Sequence, residues 1–128
     1  MARAFLILAG LIWFFYGIYM LVSPETLAVT AGLSATNTTG TIELRAMYGG
    51  LEAAVGVLAL VGGFVVALRR AGLAALAFAC IGMATGRLGS ALFAGEFSRY
   101  TLQGLILELS LGAIAIWLLA RDMRTAAA

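Results

Sequence analysis

The sequence predicts an all-α integral membrane protein: a four-helix bundle with N-in/C-in topology and a short extra helix in the first outer loop. Three observations carry this. Hydrophobic residues make up 63% of the 128, and the mean hydropathy is +1.06. Charged residues make up 11%, against roughly 25% in soluble domains, so polar groups are too few to cover a water-facing surface. The apolar residues are gathered into four long runs, each about the length a helix needs to cross the hydrocarbon layer. The length allows one domain, residues 1–128.

The first helix covers about residues 4–22. Ala4–Val22 carries no charge, and at about 1.5 Å per residue it spans roughly 28 Å. The run is longer than the apolar region of a secretory leader, and no A-x-A site follows it, so it reads as a retained helix. Ser23-Pro24-Glu25 is a helix-start signature, with a capping hydroxyl, a proline at the first position and an acid in the first turn. It predicts a short helix through about Ala31, followed by a polar loop from Gly32 to Thr41. The second helix covers about residues 42–68, ending at a tight basic turn, Arg69-Arg70-Ala71-Gly72. The third covers about residues 73–93 and stops at Ala94-Gly95-Glu96. The fourth covers about residues 98–120, leaving a short tail with Arg121, Asp122 and Arg124.

Orientation follows from the arginines. All eight basic residues are Arg, and Arg3, Arg69, Arg70, Arg121 and Arg124 fall on one side of the bundle. The positive-inside rule puts that side in the cytoplasm. The formal charge of +2 and pI of about 9.1 therefore reflect topology. No basic run with interleaved aromatics is present to follow a nucleic-acid backbone, so none is expected as a partner.

The chemistry available is narrow. The sequence holds no histidine and one cysteine, Cys80, which reads as an inert small hydrophobe in an apolar stretch. That is a poor donor set for zinc, and no cofactor fingerprint occurs, so neither metal nor cofactor is expected. No activated Ser or Cys constellation points to an enzyme. The aromatic residues of the first helix, Trp13 to Tyr16 and Tyr19, read as lipid or core contacts, with the walls of an apolar pocket as the alternative. Tyr19, Tyr48 and Tyr100 lie toward the outer interface as an aromatic belt.

Four ionisable groups fall inside the spans: Arg45 and Glu52 on the second, Arg87 on the third and Glu108 on the fourth. A charge at the centre of a bilayer costs about 2.5–3.5 kcal/mol on insertion scales, so such groups face the bundle interior and pair. Counting 1.5 Å per residue from the outer ends, Glu52, Arg87 and Glu108 all lie about 9–15 Å deep. Arg45 is one heptad from Glu52, nearly on the same face of a regular helix, with Tyr48 between them. The expected ligand or proton site is thus Arg45, Tyr48, Glu52, Arg87 and Glu108, with Arg45 equally readable as an interfacial arginine that snorkels to water. Small residues that let helices approach closely accompany it: Gly49 and Gly56, Gly82 and Gly86 as a Gly-x-x-x-Gly pair read as internal packing ahead of a homodimer seam, and Gly104 and Gly112 at i−4 and i+4 from Glu108.

The segment Arg45-Ala46-Met47-Tyr48-Gly49-Gly50-Leu51-Glu52, with Gly86-Arg87 and Glu108 downstream, resembles a bacterial family of small membrane proteins known as domain of unknown function 4345. The resemblance covers most of the chain and implies a four-helix membrane fold, broadly similar in outline to DoxX-like proteins. It implies no reaction. Four functions remain open on this reading. A small amphipathic molecule or membrane lipid is bound or carried, with an arginine meeting a carboxylate or phosphate headgroup. A homodimer carries out proton-coupled transport, with Glu52 or Glu108 as the proton carrier. An enzyme uses two carboxylates. Or the chain is an accessory subunit of a membrane complex, its ion pairs fixing only helix register.

Overall fold

The computed structural model describes residues 1–127 as an all-helical chain. Helix α1 is Ala2–Val22, α2 is Thr26–Thr30, α3 is Thr38–Leu44, α4 is Glu52–Phe64, α5 is Arg69–Ala94 and α6 is Arg99–Ala127. A π-helical stretch, Arg45–Leu51, joins α3 to α4. Four segments are long and apolar enough to cross a membrane: Ala2–Val22, Thr38–Phe64, Val66–Ala94 and Arg99–Arg124. Their outward faces carry large apolar side chains such as Leu8, Phe15, Phe78 and Ile106, as helices that could cross a membrane require.

Three boundaries differ from the sequence reading, each for a local reason. The second span begins earlier, inside the polar loop, because Asn37 caps it: its Oδ1 accepts from the Gly40 amide at 2.8 Å. That span also ends earlier. The chain leaves helical geometry at Val65 and makes a 3-10 turn at Val66–Leu68, so Arg69 to Gly72 belong to α5. Gly62 allows this turn, since a Cβ there would stand 2.9 Å from the Leu68 carbonyl. At the other end α6 runs past Ala120. Arg70 holds that extension, its Nε donating to Asp122 Oδ2 at 2.8 Å and its Nη2 to the Asp122 carbonyl at 3.1 Å. The short helix after Pro24 is present, anchored by a fully buried Leu27. Gly95, in the left-handed region at φ +69°, closes α5, and the Ser98 hydroxyl accepts from the Thr101 amide to open α6.

The spans pack as an arc, α1 on α4, α4 on α5, α5 on α6. The α1–α4 seam is the closest. A Cβ on Gly17 would overlap the Ala53 backbone, and one on Gly56 would overlap the backbone of Phe14. Without side chains at these points the two backbones touch, which supplies van der Waals contact where no hydrophobic drive between helices exists. A core of Leu6, Ala9, Trp13, Ala59, Leu73, Leu76, Ala77, Cys80, Ala115 and Leu118 fills the arc toward the end that carries the termini. At that end Arg121 reaches Met1 Sδ at 3.5 Å, bringing the first and last helices together. Elsewhere among the described residues α1 and α6 form no extended seam, and the polar layer lies between them.

Candidate functional site

Arg87 and Glu108 meet across the α5–α6 seam. Arg87 Nη2 donates to Glu108 Oε1 at 2.7 Å, and its Nε lies 3.2 Å from both carboxylate oxygens. Glu108 is the buried charged residue of the described chain, its side chain 7% exposed, while that of Arg87 is 26% exposed. The short Gly95–Ser98 connection makes α5 and α6 antiparallel neighbours, which brings residues at equal depth face to face. Gly104 completes the arrangement. It lies one turn before Glu108, and a Cβ there would stand 2.9 Å from Arg87 Cζ and Nε, so the guanidinium occupies the space a side chain would take. On its other side Arg87 lies over the Tyr100 ring, 5.6 Å from the centroid.

Beside this pair is a cavity of about 270 Å³. Helix α1 contributes Ile12, Trp13 and Tyr16, and the π-helical stretch and α4 contribute Tyr48 and Glu52. Helix α5 gives Cys80, Met83 and Arg87, and α6 gives Tyr100, Gln103, Gly104, Leu107, Glu108 and Leu111. Glu52 is half-buried, and among the described residues no side chain makes a hydrogen bond or ion pair with its carboxylate. Among the described residues no three His, Cys, Asp or Glu side chains gather closely enough to hold a metal ion.

Tyr48, Glu52, Arg87 and Glu108 are therefore brought to one place, and Arg45 is not. Arg45 is exposed and lines a separate hollow with Pro24, Glu25 and Leu44. The cause is the π-helical stretch from Arg45 to Leu51. Bonding from i to i+5 puts more residues in each turn, so seven residues no longer make two turns and Arg45 rotates off the face of Glu52. Of the packing glycines, Gly49 meets Leu21, Gly56 meets Phe14, Gly104 meets Arg87 and Gly112 meets Ile81. Gly82 and Gly86 do not pack inside the chain. Both are exposed, and a Cβ on either would have no neighbour within 4 Å, because α5 turns Cys80, Ala84, Arg87 and Ala91 toward the bundle.

Trp13, Tyr16 and Tyr100 wall the cavity, the second of the two roles open to the first-helix aromatics and one that sequence reasoning does not assign to Tyr100. Trp13 and Tyr16 stand three residues apart on one helix face, next to Gly17, which is the signal that α1 presents that side to α4. No curated protein and no solved structure matches the chain. The sequence does match one family model, over residues 1–119, and with the four spans and the Arg87–Glu108 pair in place the chain belongs to the family described as Domain of unknown function (DUF4345).

Proposed function

We propose that this protein is a multi-pass protein of the bacterial inner membrane that binds or carries a small amphipathic molecule in the cavity between its four spans. Both termini and the Val65–Arg70 connection lie in the cytoplasm on this reading, because Arg3, Arg69, Arg70, Arg121 and Arg124 share that end. The cavity is then in the outer half of the bilayer. The observation that carries the proposal is the cavity itself. Its volume approaches the lower end of the ~300–1,000 Å³ range of ligand pockets, its walls are mostly apolar, and three ionic side chains converge on it. A pair serving helix register alone requires no such space.

Extraction and mass spectrometry of the protein purified from its native membrane in a mild neutral detergent tests this. The wild type is expected to retain a small amphiphile in stoichiometric amount, and Met83→Trp, which fills the cavity, is expected to lose it. Recovery of bulk phospholipid only, in equal amount from both proteins, would refute the proposal.

A further inference from the structure

We infer that the cavity takes an organic cation, an amine or quaternary ammonium on a short apolar body, with Glu52 as its counter-ion. The inference rests on the binding reading above and adds the sign of the ligand's charge.

The charge balance of the walls is the first support. Three ionic side chains line the cavity: Glu52, Arg87 and Glu108. Two of them neutralise one another, since Arg87 turns both Nε and Nη2 to the Glu108 carboxylate and both carboxylate oxygens are engaged. What remains is one carboxylate, Glu52, which feels the charge of Arg87 but makes no ion pair or hydrogen bond with it or any other described residue. A lone carboxylate within a span is costly to keep charged, and a cation delivered by a ligand is one group that offsets the cost while leaving it ionised.

The walls give the second support. Trp13, Tyr16, Tyr48 and Tyr100 surround the same space, and the ring of Tyr100 already carries the Arg87 guanidinium. Aromatic faces bear partial negative charge and attract ammonium groups, most strongly where water is excluded. Three further rings beside a free carboxylate form the environment that recognises amines. An anionic headgroup meets the opposite conditions. It would have to take Arg87 from Glu108, and would then leave two carboxylates and its own charge against a single guanidinium.

Trp13 provides the readout. The chain has two tryptophans, and Trp117 lies outside the cavity, so Trp117→Phe leaves Trp13 as the reporter. The purified full chain in neutral maltoside micelles is titrated with hexyltrimethylammonium, hexanol and hexanoate, whose alkyl tails are of five or six carbons and whose heads differ in charge. The ammonium is expected to change Trp13 fluorescence saturably, at a concentration at least tenfold below either of the others. Glu52→Gln is expected to reduce its affinity to that of hexanol. Equal or tighter binding of hexanol or hexanoate to the wild type overturns the cation inference and leaves the amphiphile site standing. Saturation by none of the three overturns both. The ranking in the wild-type cavity decides the question even if Glu52→Gln does not fold.

Discussion

Gly104→Ala is a one-carbon perturbation whose consequence can be worked out from the structure. The new Cβ would stand 2.9 Å from Arg87 Cζ and Nε and 3.3 Å from Cδ, closer than carbon contacts allow, so the guanidinium must move. An unrestrained arginine tip would move at little cost. This one is held by Glu108 at 2.7–3.2 Å, and a shift of a few tenths of an ångström lengthens the Nε contacts beyond hydrogen-bond range. Losing a charge-assisted hydrogen bond costs about 1.5–3 kcal/mol. Replacing glycine by alanine inside a helix returns about 0.5–1 kcal/mol. The electrostatic loss wins, and net destabilisation of about 0.5–2.5 kcal/mol is expected. Gly82→Ala is the matched control. It is also mid-helix but has nothing within 4 Å, so it should be neutral or stabilising by up to about 1 kcal/mol. Equilibrium unfolding in mixed micelles, followed by tryptophan fluorescence, measures both. If Gly104→Ala proves as stable as Gly82→Ala, the guanidinium is not seated on Gly104 and the geometry of the pair is wrong.

Other substitutions separate the roles of the remaining residues. Glu108→Gln removes the charge that Arg87 pairs with but keeps an acceptor oxygen, and with the arginine side chain 26% exposed it should cost about 1.5–3 kcal/mol in the same unfolding assay, whereas Arg87→Met with Glu108→Leu should recover most of it. Glu52→Gln breaks no bond, and its stability should stay within about 0.5 kcal/mol of wild type or rise. Gly17→Ala forces a methyl into the Ala53 backbone, which no side-chain rotation relieves, so a loss at the upper end of the overpacking range, about 3 kcal/mol, is expected. Asp122→Asn touches a pair whose arginine side chain is 49% exposed and should change stability by less than about 1 kcal/mol.

Depth along a helix is readable from sequence because each residue adds a fixed rise, and that is why Glu52, Arg87 and Glu108 can be placed in one layer by counting residues. Azimuth is less secure. The heptad relation between Arg45 and Glu52 assumes an unbroken α-helix, and the π-helical stretch between them removes it. Gly49-Gly50 inside a span is the local weakness at which that deviation occurs, but side-chain periodicity alone carries no sign of it. The outward direction of Gly82 is available from the sequence. At about 100° per residue it sits about 140° from Arg87, and an arginine inside a span must face the bundle. The cavity itself is not legible there, since it depends on how far α1 stands from α6, and the aromatic residues that wall it are those that a lipid-facing helix also carries.

A crystal structure of the protein with (6-bromohexyl)trimethylammonium, located by anomalous scattering from bromine, addresses the central claim most directly. The ammonium is expected against the Glu52 carboxylate and within ~6 Å of the ring centroid of Trp13, Tyr16 or Tyr48, with the Arg87–Glu108 pair intact. Bromine found only on the lipid-facing surface, or a ligand seated by breaking Arg87 from Glu108 while Glu52 stays untouched, would contradict it.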